Sequence, residues 1–246
     1  MFIRKILCLL WVLFIIGAYS AETKATLIDN QDGTITQIRN DPTYGDGSRL
    51  MWLKDVNTAG TSGYPNDPNY PPGQMTWDES NTWIDTLNSS NYLGYDDWRL
   101  PRTLPVNGSN YNTVVSYDGS TDIGFNITSP NSEMAYMYYV ELGNLGEYDT
   151  SGNPQTGWGL LNVGPFDNLQ PYLYWSGTDA TFDPRGAAWW FAFYNGSQSL
   201  YGKNTYRYAW AVRDVAAVPE PGTLLLVGTG LSGMALFRRR TLRRHG

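Results

Sequence analysis

The side chains that most often perform chemistry are almost missing from this chain. Its single cysteine is Cys8 and its single histidine is His245, and each lies near one end. The long stretch between them therefore has no thiolate, no imidazole base, no cysteine or histidine metal ligand and no Ser-His-Asp triad. Carboxylates remain, and a pair about 5 to 10 Å apart would suffice for glycoside hydrolysis.

One segment, Asp96-Asp97-Trp98-Arg99, concentrates the remaining polar chemistry. Asp96, Asp97 and Arg99 are candidates to line a ligand site. The favoured alternative is structural: on an extended segment Trp98 and Leu100 alternate into the core, while Arg99 turns away and needs a carboxylate or carbonyl partner. Neighbouring Asp side chains diverge on such a segment, which makes them a poor catalytic pair.

Aromatic residues make up 15% of the chain and accompany many small polar residues. Rings in such surroundings can form a sugar-binding platform, and Trp158, in a glycine-rich loop, is the candidate for it. The alternative, favoured by composition, is that most rings fill the core and pair across strands.

The charge balance limits the partners that can be expected. Between Glu22 and Val218 there are 22 acidic and 10 basic residues, a balance of −12. This excess argues against nucleic acid, and against anionic polymers held by bulk charge. No cofactor is expected; calcium is compatible with the acidity, although no motif supports it.

Both ends of the chain carry targeting signals. Residues 1–20 have a basic start, an apolar run and small residues before a break between Ser20 and Ala21, which predicts a secretory signal peptide cut by signal peptidase. An uncleaved anchor is the alternative. At the other end, an uncharged run over 222–237 predicts a short transmembrane helix, and the basic tail 238–246 is expected to stay in the cytoplasm.

The C-terminal order is Pro219-Glu220-Pro221, a short apolar helix and then Arg238, Arg239 and Arg240. Residues 218–246 thereby resemble the PEP-CTERM sorting signal of Gram-negative bacteria. The resemblance implies transient anchoring in the inner membrane, processing by the protease exosortase, and delivery to the cell surface or the medium. The two prolines hold the cleavage region extended and open to a protease.

The exported part, residues 22–215, is long enough for one domain with its own core. Short strands are expected at 26–30, 34–38, 50–53 and 206–213, and a hairpin at 187–201 around Asn195-Gly196. Residues 40–47, 54–73 and 143–171 are expected to be loops. One helix begins at a Thr76–Glu79 capping box, and a second covers 134–142 after a cap at 131–133. The fold class is therefore α+β, with short antiparallel strands, two helices and long loops.

The same part resembles the Lcl C-terminal domain family, in which a tryptophan-containing helix precedes an Asp-Trp-Arg-Leu-Pro motif. The matching segments here are 77–87, 95–101, 32–34, 50–52, 174–178 and 211–213. The resemblance implies a C-type-lectin-like fold; most members have no known function, and a few are adhesins. The calcium-lectin tripeptides are absent, the nearest string being Gln170-Pro171-Tyr172, and so are the cysteines of related oxidases.

Together these features predict a non-catalytic, surface-sorted protein of the extracellular or biofilm matrix that binds polysaccharide or acts as an adhesin. Two alternatives remain open. One is a purely structural matrix component without a specific ligand. The other is a glycan hydrolase that works through two carboxylates, which the sequence does not single out.

Overall fold

The computed structural model describes residues 26–41, 45–65, 67–183 and 186–215, which form a mixed α+β fold dominated by strands. In chain order the strands are β1 (Thr26–Asp29), β2 (Thr34–Asp41), β3 (Gly45–Leu53), β4 (Gln74–Met75), β5 (Val115–Ser116), β6 (Ile123–Gly124), β7 (Leu173–Ala180), β8 (Ala187–Ala192), β9 (Gln198–Gly202), β10 (Arg207–Tyr208) and β11 (Val212–Val215). The helices are α1 (Thr58–Thr61), α2 (Trp77–Ser89) and α3 (Glu133–Tyr136), with a 3₁₀ turn at Tyr92–Gly94 and a π-helix at Met137–Glu141.

The strands form two sheets. The four-stranded sheet has the order β1-β2-β3-β11 and is antiparallel throughout. The seven-stranded sheet has the order β4-β10-β7-β8-β9-β6-β5, with parallel pairs at β10–β7 and β5–β6. The lectin-like architecture expected from the sequence stays a prediction.

The predicted opening hairpin is confirmed, with Asp29 of β1 opposite Ile35 of β2. Gly33 between the strands has a φ of 91°, a value that glycine adopts without strain. The predicted loop over 40–47 is partly wrong, because the backbones of β2 and β3 continue to pair beyond a bulge at Arg39/Asn40. A bulge lets a ladder continue through a sequence with weak strand propensity.

The predicted last strand, residues 206–213, is wrong as a single element. Its first part is β10 in the seven-stranded sheet, and its last part belongs to β11 in the four-stranded sheet. Between them Trp210 is fully buried, and its indole N–H donates to the Leu53 carbonyl at 2.8 Å. The apolar run is therefore a buried segment that connects the two sheets. Its hydrophobic pattern alone does not distinguish it from a buried strand.

Helix α2 begins as predicted. The Thr76 side chain accepts a hydrogen bond from the Glu79 amide, and the Glu79 carboxylate accepts one from the Thr76 amide at 2.8 Å. Its buried face carries Trp83, Ile84 and Leu87. This reciprocal cap satisfies two amides that the first helical turn would otherwise leave without partners.

The second predicted helix is only partly correct. One turn of α-helix, α3, passes directly into the π-helix, and the predicted side-chain cap at Ser132 is absent. The Ser132 hydroxyl instead donates to the Gln198 side chain on β9. Met134, Met137 and Tyr138 are buried as expected. A tertiary hydrogen bond has thus replaced the local cap.

The core lies where the two sheets meet. The Trp210 ring is 4.4 Å from that of Trp52 on β3 and 6.0 Å from that of Phe193, which follows β8. Trp98 and Leu100 are also buried in this core. Aromatic rings therefore fill most of the interior, as the composition suggests.

Several predicted features lie outside the described residues: the signal peptide with Ser20 and Ala21, the 222–237 segment, and the sorting residues Pro219, Glu220, Pro221, Arg238, Arg239 and Arg240. Within the described ranges, every helix is too short or too polar to cross a membrane.

Candidate functional site

Arg99, one of the predicted site residues, is held between two carboxylates. Its Nη1 and Nη2 donate to the two oxygens of Glu133 at 2.8 and 2.9 Å. Its Nη2 and Nε donate to the two oxygens of Asp214 at 2.7 and 3.1 Å. We call these three residues the Arg99 joint. Because Glu133 is buried and Asp214 belongs to β11, the joint ties α3 to the four-stranded sheet.

Electrostatic interactions within the joint oppose the effect of burial on the pKa values of Arg99 and Asp214. Burial acts to lower the pKa of Arg99, but the charges and hydrogen bonds of Glu133 and Asp214 outweigh it and raise the pKa. Burial acts to raise the pKa of Asp214, and its bond with Arg99 reverses that effect and lowers the pKa. Arg99 occupies the position between the two carboxylates, so this pair leaves no room for a sugar between them.

Asp97 is also engaged within the protein, and Asp96 is exposed. The Asp97 carboxylate accepts hydrogen bonds of 2.5 and 3.0 Å from Nε and Nη2 of Arg213. The Arg213 guanidinium in turn lies 4.1 Å from the centre of the Tyr95 ring. The arrangement around 96–99 favours the structural alternative over a ligand site.

Trp158 lies in a different place, on an exposed apolar surface. It is 42% exposed, and large exposed side chains of neighbouring loops accompany it. We define the aromatic surface as Trp158, Tyr172, Tyr194, Leu145 and Leu161. Backbone hydrogen bonds connect its parts: Gly159 N donates to the Leu145 carbonyl at 3.0 Å, Glu147 N donates to the Asn195 carbonyl beside Tyr194 at 2.9 Å, and Phe193 N donates to the Tyr172 carbonyl at 2.9 Å. A concentration of large exposed rings indicates a binding surface.

A buried asparagine fixes the loop beside Trp158. The Asn144 Oδ1 accepts from the amides of Leu161 and Asn162 at 3.1 and 2.8 Å, and its Nδ2 donates to the Asn162 carbonyl at 2.8 Å. Asn162 returns a hydrogen bond of 2.7 Å to the Leu142 carbonyl. Since these bonds hold the backbone on one side of Trp158, the ring is presented by a fastened loop.

Tyr172 and Tyr194 are close enough to influence one another. Burial raises the pKa of Tyr194, and the charges of Glu147 and Tyr172 add to the effect. The Glu147 carboxylate accepts a hydrogen bond from the Asn195 side chain at 3.0 Å, beside Tyr194. Sequence analysis did not single out either tyrosine; the one available signal was that both lie next to the turns that flank β7 and β8.

Glu141, at the end of the π-helix, is a second group that the sequence did not reveal. Burial raises its pKa to about 7, against the opposing effects of a hydrogen bond from Gln37 and the charge of Arg39. Gln37 Nε2 donates to Glu141 at 2.8 Å and its Oε1 accepts from the Trp52 indole at 2.8 Å. A carboxyl group with a raised pKa can act as a general acid or base, but catalysis by an acid–base pair also needs a second such group.

Metal ligands are not concentrated anywhere in the part of the chain that the structure describes. No group of three or more His, Cys, Asp or Glu side chains in these ranges could hold an ion. The local carboxylate clusters instead cap turns, as Asp149 does by accepting from the amides of Ser151 and Asn153 at 2.9 Å.

Comparison with known proteins supports both resemblances. The family model described as the Lcl C-terminal domain matches residues 43–213, and the model described as the PEP-CTERM protein-sorting motif matches residues 217–240. Neither description is that of an enzyme family. No curated protein and no solved structure matches the chain.

Proposed function

This chain belongs to the Lcl C-terminal domain family, and from that premise we propose that it is a non-catalytic surface protein that binds polysaccharide through its aromatic surface. Its PEP-CTERM motif implies an exported protein that exosortase processes. The proposed ligand is therefore a polymer of the cell surface or of the extracellular matrix.

The observation that carries the proposal is that Trp158, Tyr172 and Tyr194 are exposed on loops that hydrogen bonds hold in place. The C–H faces of sugar rings are apolar and slightly positive, while the faces of Trp and Tyr rings are negative, so the two stack. Tyr and Trp also lose little conformational entropy when they bind. The hydroxyl of an exposed tyrosine can also donate to and accept from sugar hydroxyls.

The domain limits and topology follow from the same proposal. Signal peptidase releases residues 1–20 by cutting between Ser20 and Ala21, and residues 22–215 form the exported domain. The 222–237 segment then holds the chain in the inner membrane, with Arg238, Arg239 and Arg240 in the cytoplasm, while exosortase acts at the Pro219-Glu220-Pro221 region. Calcium is not required for the stacking contacts.

Equilibrium binding of the full-length chain to exopolysaccharide from the producing bacterium tests the proposal. Replacement of a central ring, Trp158→Ala, should weaken binding roughly 30-fold, the effect of losing about 2 kcal/mol at a contact hot spot. The matched control is Tyr70→Ala, which removes an aromatic ring of similar exposure that stacks on Tyr206, outside the aromatic surface.

Three outcomes separate the alternatives. Binding that both variants retain equally would contradict the aromatic surface. Failure of the wild-type chain to bind any matrix polysaccharide would favour a purely structural component. Shortening of the polysaccharide during the measurement would favour the hydrolase, which needs two carboxylates with a free path between them.

A further inference from the structure

Arg207 on β10 is a buried arginine surrounded by rings. It is only 5% exposed. Its guanidinium carbon lies 4.3 Å from the centre of the Trp175 ring and 5.5 Å from the centres of the Trp190 and Tyr201 rings. We call these four residues the Arg207 cage. The rings come from three adjacent strands, β7, β8 and β9, which places them on one face of the seven-stranded sheet.

The cage has donors but no matching acceptor. Arg207 Nη1 bonds to the Thr205 hydroxyl, whereas Arg207 Nε and Trp190 Nε1 are buried without any hydrogen-bond partner. Among the residues that the structure describes, no carboxylate forms an ion pair with Arg207. Buried donors without partners are rare, and a buried charge without a counter-ion is unfavourable.

The rings do not replace the missing anion. Cation–π contacts offset only part of the free-energy cost of removing a guanidinium from water. Burial accordingly lowers the pKa of Arg207 to about 10, against the opposing effects of the tyrosines Tyr172 and Tyr201. Arg207 is thus still charged at neutral pH, and its own Nε–H and the Trp190 indole N–H beside it lack an acceptor.

The cage is close to the aromatic surface. Tyr172 directly precedes β7, the strand that carries Trp175 of the cage, and Tyr194 follows the end of β8, the strand that carries Trp190. A sugar chain that extends from the aromatic surface along these two strands would reach the cage.

We propose that the Arg207 cage is an anion subsite that takes one carboxylate or sulfate group, and that the polysaccharide bound by the aromatic surface is therefore acidic. This inference rests on the proposed function. Arg offers a planar fork of donors that matches the two oxygens of a carboxylate or sulfate, and Trp190 Nε1 adds a donor beside it.

Access to the subsite requires Tyr201 to turn aside. Trp175 is fully buried, whereas Tyr201 is 58% exposed at the edge of the cage. Exposed side chains change rotamer within nanoseconds, so this ring can uncover the guanidinium without disturbing the core. The overall acidity of the chain does not oppose binding at one site, because salt at about 0.15 M screens charges beyond about 8 Å.

Side-chain NMR of the wild-type, full-length chain tests the subsite without any substitution. Glucuronate and inorganic sulfate should both shift the Trp190 indole N–H and Arg207 Nε–H signals, while glucose at the same concentration should not. Tighter binding of glucuronate than of sulfate assigns the subsite to sugar-borne acids. Unchanged signals with both anions would overturn the inference.

Matched hexasaccharides of glucuronate and of glucose then test the link to the polysaccharide. The wild-type chain should bind the acidic hexasaccharide at least 10-fold more tightly, and Arg207→Met should abolish the difference. Arg102→Met is the control, since Arg102 pairs with Asp214 in another part of the fold. Arg207→Lys should recover only part of the preference because it keeps the charge without the planar fork.

The outcomes also separate this inference from the proposed function. Equal binding of both hexasaccharides, lost in Trp158→Ala, would leave the aromatic surface in place and overturn the anion subsite. If neither hexasaccharide binds but free glucuronate shifts the Trp190 and Arg207 signals, the anion subsite stands and polysaccharide binding by the aromatic surface is contradicted. If Arg207→Met fails to fold, the wild-type spectra still decide the matter.

Discussion

Two arginines of this domain have opposite kinds of surroundings. In the Arg99 joint, Nη1, Nη2 and Nε all donate to carboxylates, and those charges raise the pKa of Arg99. In the Arg207 cage, rings take the place of carboxylates, Nε has no acceptor, and burial lowers the pKa. The protein itself supplies acceptors for Nη1, Nη2 and Nε of Arg99, whereas Nε of Arg207 has no acceptor and can bind a ligand.

This difference teaches where function can be sought in a chain that has no thiolate or imidazole in its described part. The segment 96–99 is rich in charge, yet Asp97 and Arg99 are both held in internal ion pairs. The aromatic surface is rich in exposed rings, and Arg207 has no carboxylate partner among the residues that the structure describes. Buried donors without acceptors and exposed rings indicate a binding site better than a concentration of polar residues does.

The largest effect is expected when a substitution breaks the Arg99 joint. Glu133→Ala removes the buried carboxylate and leaves Arg99 short of a partner, so the free energy of unfolding should fall by about 3 to 5 kcal/mol. Urea unfolding followed by tryptophan fluorescence measures it. Asp214→Asn is the control: Asp214 is mostly exposed, and its loss should matter by about 1 kcal/mol or less. Equal effects of the two changes would contradict the account of the joint.

A smaller effect is expected where Asn144 fastens the loop beside Trp158. Asn144→Ala removes three hydrogen bonds, each worth about 1 kcal/mol, so unfolding should become easier by about 2 to 3 kcal/mol. Polysaccharide binding should weaken in the same variant because Trp158 is no longer held. Normal binding by a destabilised Asn144→Ala chain would show that the loop need not be fastened.

Glu141 extends the comparison to a half-buried acid that accepts a hydrogen bond from the Gln37 amide. Its folded pKa of about 7 lies above its ordinary value of 4.5, so folding favours the neutral form. The stabilisation is complete below pH 4.5 and is lost as the pH rises through 7. Relative to Glu141→Gln, the wild-type chain should lose about 1 to 2 kcal/mol between pH 4.5 and 8, allowing for partial exposure. A pH-independent difference would contradict this reading of Glu141.

The smallest expected effect concerns the stability role of Arg207. Arg207→Met exchanges an unpaired buried charge for an apolar chain of similar length, so the free energy of unfolding should change by less than about 1 kcal/mol in ligand-free protein. Thermal unfolding of both chains, with and without glucuronate, provides the measurement. Only the wild-type chain should gain stability from the ligand. A loss of several kcal/mol without ligand would instead make Arg207 a structural residue, like Arg99.

Much of the local structure could be predicted from the sequence. The Thr76–Glu79 cap, the hairpin around Gly33 and the turn at Asn195-Gly196 each depend on interactions within a few residues. The alternation of Trp98, Arg99 and Leu100 also predicted that Arg99 would turn away from the core and need a carboxylate or carbonyl partner.

What could not be predicted depends on distant parts of the chain. Trp210 carries the chain between sheets because it packs between Trp52 and Phe193, and no local pattern contains that information. The Ser132 hydroxyl donates to the Gln198 side chain, which is 66 residues away, and does not cap α3. The aromatic surface and the Arg207 cage are likewise assembled from loops and strands that meet only in the folded protein.

The tryptophan indole N–H signals of the full-length chain, followed while an oligosaccharide of the matrix polysaccharide is added, test the central claim most directly. The account predicts that the Trp158 signal shifts progressively, while the buried Trp83 and Trp98 signals stay in place. Saturable binding that leaves the Trp158 signal unchanged would contradict it.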